Sequence, residues 1–414
     1  MESDITGRLQ SPMSAARHAW QADMTGFDVV IVRYGEIGIK SEQIRRKFEE
    51  LLIYNLKAML DQDRIVYDGI DRERGRIFVR TKDPKAPASV SRVFGIVSCS
   101  PAIVAGPTVE DACAAAAKIG MEVIREGQSF AIMPRRSVKD ESFTSQDLGR
   151  ICGDAVFNAV ADRHPRVDLK NPDHAIHVEL RESQSYVFTE IVKGVGGMPL
   201  GSQGKMVALI SSGIDSPAAA WLMMKRGCEI IPLYMDNTPY LGEDAKRKAI
   251  DIVKKLKEWA PGHEMKMYIA PHGRNLQAFI EKGNKKYTCV FCKHLMYKVA
   301  SAIAKRDGAH GIITGSSLGQ VASQTSENMM AEAYDIDFPI YHPLIGMDKE
   351  EITAIARKIG TLDISIQKAG GCQAVPRYPS IHGRLEEVVR MENEQFEFDE
   401  LVRYEVENAK SIEI

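Results

Sequence analysis

The chain has 414 residues, of which 44% are hydrophobic, 27% charged and 7% aromatic; this is an ordinary globular composition, and it excludes disordered, collagen-like and coiled-coil proteins. Its 54 Lys and Arg against 56 Asp and Glu leave a net charge of −2, so binding to an acidic polymer has to rely on local basic faces. Seven cysteines are too few and too scattered for a disulfide framework, which points to a reducing, cytoplasmic setting, and no apolar run approaches the roughly 18 residues of a membrane span. Met1 to Met24 lacks an apolar centre and reads as an N-terminal extension rather than a secretory signal.

From Phe27 the run FDVVIVR is strand-like, and Ile44, Phe48, Leu51, Leu52, Leu56, Met59 and Leu60 then recur three or four apart, as on one helix face. Strands follow at Arg76–Arg80 and Val97–Ala105, separated by a proline-bearing connector, Asp83 to Pro87. A second α+β module comes next: a helix from about Val109, a strand at SFAIM, a helix over Gln146–Asp162, and strands around IHVEL and YVFTEIV. The segment GVGGMPLG (Gly194–Gly201) interrupts all periodicity and is the linker candidate. Beyond it MVALI, EIIPLYM, MKMYIA and GIIT alternate with helical patterns, an order that implies a parallel sheet covered on both faces.

The sharpest chemical signal is MVALI running into Ser211-Ser212-Gly213-Ile214-Asp215-Ser216-Pro217 and a helix. With Ser216 as N-cap and Pro217 as first helical residue, free backbone N–H groups and the positive helix end would face an anion. Gly213 permits close approach, the serines add donors, and Asp215 is suited to a magnesium ion on a polyphosphate. Taken alone, such a loop is as often a well-capped turn. A Walker-type loop is disfavoured because Lys205 is followed by Met206, and a dinucleotide fingerprint because Gly194-Val195-Gly196 precedes a strand.

SSGIDS resembles the S-G-G-x-D-S loop of the PP-loop ATP pyrophosphatases, which cleave ATP between the α- and β-phosphates to adenylate a substrate. Arg33-Tyr34-Gly35-Glu36, Gly38-Ile39-Lys40, Val167-Asp168-Leu169, Asn171-Pro172-Asp173, GVGGMPLG and Gly315 to Thr325 extend the likeness to the tRNA 4-thiouridine synthetases, the ThiI family of tRNA sulfurtransferases, in their form without a rhodanese domain. The resemblance implies an α/β protein. Residues 26–85 would be a ferredoxin-like domain, 86–193 a THUMP domain that binds tRNA, and 200–395 the PP-loop domain with a Rossmann-like parallel sheet, flanked by an extension (1–25) and a C-terminal tail (396–414).

By the same likeness, ATP with Mg2+ is held by Leu209, Ile210, Ser211, Ser212, Gly213, Ser216, Tyr234, Met235, Lys293, Gly315 and Gln324, with Asp215 catalytic. Tyr341-His342 carries His where many members have Arg, and no role is assigned to it. The implied partners are tRNA and a sulfur donor, sulfide or a cysteine desulfurase, and relatives suggest a homodimer. Rival functions are a small-molecule synthetase using the same loop, which leaves the first 190 or so residues unexplained, and a tRNA-binding module with a vestigial ATP site.

Cys289 and Cys292 form a C-x-x-C pair, and Cys372 follows Gly370-Gly371. Three readings stand side by side: ligands of an iron–sulfur cluster, a thiol/persulfide pair, or a structural zinc or plain reduced thiols. The resemblance favours a [4Fe-4S] cluster on Cys289, Cys292 and Cys372, and a sulfur-handling catalytic role for Cys372. Cys99, Cys113, Cys152 and Cys228 read as packing residues. Arg135, Arg136 and Lys139, with Arg163, His164, Arg166 and Lys170, are the candidate phosphate contacts of the second module.

Overall fold

The computed structural model describes residues 26–73, 75–137 and 143–414; the N-terminal extension and Lys139 lie outside them. The chain divides into two compact units, one running to Ile39 and from Met59 to Gly196, the other comprising Lys40–Ala58 and Gly197–Ile414.

In chain order the first part contains β1 (Val29–Tyr34), α1 (Glu42–Gln62), β2 (Gly69–Glu73), β3 (Arg76–Arg80), α2 (Ala86–Ser91), β4 (Ile96–Ala105), α3 (Val109–Val123), β5 (Ser129–Arg136), α4 (Ser145–Ala159), β6 (Arg166–Val167), β7 (His174–Leu180), β8 (Ser185–Phe188) and β9 (Val192–Lys193). Among the described residues its strands form one sheet in the order β2-β3-β1-β4-β8-β7-β5-β6, with β9 also on β4. The two small modules are therefore joined through β4, which pairs with β1 along one edge and with β8 and β9 along the other. Both α3 and α4 begin with capping boxes, Thr108 with Asp111 and Thr144 with Asp147, each reciprocally hydrogen-bonded.

Three local expectations change. The Asp83–Pro87 connector ends in α2, because Pro87 sits in the first helical turn, where a missing N–H costs no bond. YVFTEIV is not one strand: β8 stops at Phe188 and the chain returns to β4 as β9. Ile44 is 45% exposed, while Leu52, Leu56, Met59 and Leu60 are buried.

The second unit continues with β10 (Lys205–Ile210), α5 (Asp215–Lys225), β11 (Glu229–Asp236), α6 (Glu243–Lys257), β12 (Lys266–Pro271), α7 (Gly273–Lys282), α8 (Thr288–Asp307), β13 (Ile312–Ile313), α9 (Ser326–Ala333), β14 (Ile340–Tyr341), α10 (Lys349–Ile359), α11 (Leu362–Ser365), α12 (Leu385–Gln395), α13 (Phe398–Glu407) and β15 (Lys410–Glu413). The sheet order is β14-β13-β10-β11-β12-β15, parallel throughout except at β15. Val207, Leu233 and Ala270 are buried against α8, whose Phe291, Leu295, Val299 and Ile303 face the same core. A strand buried on both faces needs a continuous apolar run, which is why these segments lack polar alternation.

Residues 396–414 are not a tail. α13 buries Phe398 and Glu405, and β15 adds an antiparallel edge strand to β12. GVGGMPLG is not slack either: Val195, Met198 and Leu200 are buried, and Met198 N–H donates to the Lys225 carbonyl at 2.9 Å. At Gly197, φ is +86° and a Cβ would lie 2.0 Å from that carbonyl oxygen, so only glycine fits.

Candidate functional site

The site is built at the carboxyl ends of β10, β11 and β13, where open parallel sheets bind ligands. Leu209 and Ile210 end β10, opposite Leu233 and Tyr234 of β11, with Met235 one residue on. Ile210, Tyr234 and Met235 are buried and Leu209 is half-buried, so their side chains are core and their backbones form the floor.

Ser211–Ile214 then turn directly into α5. The helix begins at Asp215 with Ile214 as its N-cap, so Ser216 is not the cap that its sequence position suggests. Its hydroxyl instead accepts the Ser211 N–H at 2.8 Å and lies 3.1 Å from the Ser211 hydroxyl, closing the loop on itself. Gly213 N–H donates to Ser211 Oγ at 3.3 Å, and Ser365 Oγ, at the end of α11, donates to the Gly213 carbonyl at 3.3 Å. The first N–H groups of α5 have no carbonyl one turn back, which leaves donors and a positive helix end at this loop. Pro217, inside that first turn, removes no helical hydrogen bond.

Gly315 seals the opposite wall. A Cβ there would stand 2.7 Å from Ser216 N and 2.9 Å from Asp215 C, so the segment that follows β13 approaches the loop at backbone contact. Asp215 is held from two sides: Lys349 Nζ lies 2.9 Å from Oδ1 and Gln320 Nε2 donates to Oδ2 at 3.0 Å. Each oxygen keeps a second lone pair, so one carboxylate beside polyphosphate oxygens fits the sparse protein ligation of magnesium.

Lys293, in the second turn of α8, lies 3.4 Å from the buried carboxylate of Glu332 and donates to the Ser323 carbonyl at 3.5 Å. Gln324 follows Ser323; it is buried, and its Oε1 has no partner among the described residues. His342 Nδ1 lies 2.7 Å from Thr314 Oγ1, and burial, with Lys293 nearby, pulls its pKa below the usual histidine value. Lys349, Gln320, Glu332 and His342 are absent from the sequence-derived site. Gln320 lies in the Gly315–Thr325 motif and His342 has no role assigned to it from sequence; Lys349 follows Asp348, which with Glu351 forms a capping box that places it at the first residue of a helix.

The cysteines lie at the same carboxyl end of the sheet, Cys372 beside Asn237 just after β11 and Cys292 beside His272 just after β12. Cys289 and Cys292 occupy the first turns of α8, and Cys292 and Cys372 pack against one apolar cluster. Burial, with Cys292 and Cys372 close by, pushes the Cys289 thiol up to about 12. Cys292 Sγ is 3.2 Å from His272 Nε2, whose Nδ1 donates to Glu405 at 2.9 Å, and Asn275 Nδ2 donates to the same oxygen at 2.7 Å. Asn237 Nδ2 reaches Cys372 Sγ at 4.0 Å. Among the described residues no three Cys, His, Asp or Glu side chains stand close enough to share a metal ion. A four-iron cluster takes each thiol on a different iron, so its ligands need not meet at one point; Cys289 lies close enough to Cys292 and Cys372 to feel both. A cavity of about 420 Å³, lined by Tyr240, Lys285, Lys286, Val375, Arg377 and Tyr378 among others, opens just after Cys372.

The remaining cysteines, Cys99, Cys113, Cys152 and Cys228, are buried, in keeping with packing roles. In the first unit Arg163 is taken up structurally: its Nη1 donates to the Met121 and Ile124 carbonyls at 2.7 and 2.6 Å, capping the end of α3. Arg166 donates to the Gly127 carbonyl at 3.1 Å and His164 lies 2.8 Å from Glu126. Arg135 and Arg136 end β5. None of the helices among the described residues is long and apolar enough to cross a membrane.

Comparison with known proteins agrees with this architecture. The profile described as "Thiamine biosynthesis protein (ThiI)" matches residues 201–398, "ThiI ferredoxin-like domain" matches 29–100, and "THUMP domain" matches 108–190. A Methanosarcina mazei protein named "Probable tRNA sulfurtransferase" is 50% identical over 389 residues, covering 94% of this chain and 96% of that one. A Methanosarcina acetivorans protein of the same name is 52% identical, with 87% and 88% covered. The solved structure described as a 4-thiouridine synthetase–RNA complex with bound ATP superimposes with a TM-score of 0.83 at 28% identity, over 94% of this chain and all of that one. With its three domains matched in order and half its residues shared with a near-full-length relative, the chain belongs to the ThiI family of tRNA sulfurtransferases.

Proposed function

We infer that this protein is an ATP-dependent tRNA sulfurtransferase that converts uridine at position 8 of tRNA into 4-thiouridine. The observation that carries the reading is the convergence on one sheet end of the serine loop, the tethered Asp215, Gly315 and three thiols. A small-molecule synthetase would leave the first unit, with its THUMP match, without use.

The loop N–H groups and Ser211, Ser212 and Ser216 hold the β- and γ-phosphates as the pyrophosphate leaving group, and Lys293 neutralises the α-phosphate. Magnesium, when bound on Asp215 and the phosphates, supplies Lewis-acid stabilisation of the leaving charge. Lys349 and Gln320 keep Asp215 in one rotamer for that task. The uracil enters the cavity beside Cys372, where Tyr240 and Tyr378 offer stacking faces and Lys285, Lys286 and Arg377 meet flanking phosphates. Its 4-oxygen attacks the α-phosphorus, the N3 proton leaves and pyrophosphate departs, making AMP the leaving group at C4.

Sulfur arrives as a persulfide on Cys372. Its terminal sulfur attacks C4 and expels AMP, leaving a disulfide link between Cys372 and the base. A thiolate of the Cys289/Cys292 pair then attacks Cys372 Sγ. The products are a protein disulfide and the 4-thio base, which regains its N3 proton; an external thiol reductant restores the cysteines.

The test measures pyrophosphate release and 4-thiouridine formation with purified tRNA, ATP and a persulfide-loading donor. Pyrophosphate release that depends on tRNA, followed by 4-thiouridine in nuclease digests, is the expected result. Release without tRNA, or modification at another nucleoside, overturns the reading. Iron and acid-labile sulfide in an anaerobically purified, active preparation would replace the persulfide route with a cluster-bound one.

A further inference from the structure

Glu332 is a buried acid that the reaction just described does not use. Its side chain has no exposed surface, and neither carboxyl oxygen has a hydrogen-bond partner among the described residues. Among the described residues the cation paired with it is Lys293 Nζ at 3.4 Å, an ion pair without a hydrogen bond. A carboxylate in that position is costly unless the cation stays or a proton arrives.

We propose that ionised Glu332 positions Lys293 in the nucleotide-free enzyme and takes up a proton from solvent when Lys293 turns to the phosphate, so that wherever the acid is ionised, nucleotide binding and its protonation are one coupled event. This rests on the assignment of Lys293 to the α-phosphate. The groups facing Glu332 support the coupling. From α8 these are Lys293, with Cys289 and Tyr297 near enough to feel its charge, and His294, whose Nδ1 donates to the Glu332 carbonyl at 3.0 Å. From α12, Glu392 faces the other nitrogen of His294 at 3.5 Å and is itself an acid. Lys293 is the cation whose charge lowers the Glu332 carboxyl, so moving it removes that compensation.

Burial already pushes the Glu332 carboxyl up to about 8, even with Lys293 lowering it. The sign follows. Below about pH 8 Glu332 is mostly protonated and nucleotide binding takes up no proton there. Above it the carboxylate holds Lys293 and must be protonated for the lysine to leave, so affinity falls as pH rises, by at most about tenfold per pH unit.

The experiment is calorimetric titration of the full chain with Mg2+ and α,β-methylene ATP between pH 7 and 9.5, in paired buffers of different ionisation enthalpy. Wild type should show proton uptake rising from near zero toward one per nucleotide, with affinity declining in step. Glu332→Gln, isosteric with the neutral acid, should abolish the uptake and flatten the affinity profile while binding as tightly as wild type at pH 7. Unchanged uptake in Glu332→Gln, or none in wild type, overturns the proposal. Unchanged affinity in Lys293→Ala instead overturns the phosphate assignment beneath it.

Discussion

Lys349 sets its ammonium 2.9 Å from one oxygen of Asp215, across 134 residues of sequence, while Gln320 holds the other oxygen at 3.0 Å. The acid at the start of α5 is therefore fixed between a helix N-terminus and a loop. Fixing a charged group before the substrate arrives removes reorganisation from the reaction.

Lys349→Ala and Asp215→Ala should each lower tRNA-dependent pyrophosphate release by roughly a hundredfold or more. Affinity for tRNA in a filter-binding assay should change less than about twofold, since neither residue lies in the THUMP-matched segment. Full turnover by either variant removes that residue from the site.

Gly315→Ala places a methyl group 2.7 Å from Ser216 N, a backbone atom that cannot swing aside. The strand end or the loop has to shift, at a cost of about 1–3 kcal/mol. Thermal unfolding should report the loss, and nucleotide affinity should fall at least about tenfold. Retention of both would mean the loop is more pliant than its serine cross-bond implies.

Separate loss of the two chemical stages is the signature expected of the thiols. Cys372→Ser should keep tRNA-dependent pyrophosphate release within about threefold yet form no 4-thiouridine, because adenylation needs no sulfur. Cys289→Ser, Cys292→Ser and the pair together are measured the same way. A thiol variant that loses pyrophosphate release as well would place that cysteine in the first stage.

Arg163→Ala should destabilise the first unit by about 1–2 kcal/mol, since two carbonyls at the end of α3 lose their donor. The slope of log tRNA affinity against log salt should stay as in wild type, because a side chain committed to capping neutralises no phosphate. A slope smaller by about one would return Arg163 to the RNA contacts.

Ending the chain at Gln395 removes α13 and β15, with buried Phe398 and Glu405 and the edge bonds of β12. His272, fully buried, would lose its carboxylate partner. The shortened protein should lose cooperative unfolding and nucleotide binding together. Normal binding by it would show that the last strand is dispensable.

What the sequence alone determined is local. MVALI, EIIPLYM and MKMYIA are apolar without alternation, and only strands covered on both faces need that pattern. The Ser/Gly/Asp loop between strand and helix, and the order of separated motifs, were equally legible, because a phosphate loop is made by consecutive residues. Tertiary structure decided the rest. That Asp215 meets Lys349, that His272 meets Cys292 and Glu405, and that Glu332 confronts Lys293 all depend on side chains 20 to 134 residues apart. Such pairs leave no period and no spacing in the chain; they exist because the crossovers of a parallel sheet deliver distant loops to the same strand ends. The same limit hid β15, whose exposed residues Lys410, Ser411 and Glu413 look like a solvated tail until β12 supplies the edge they pair with.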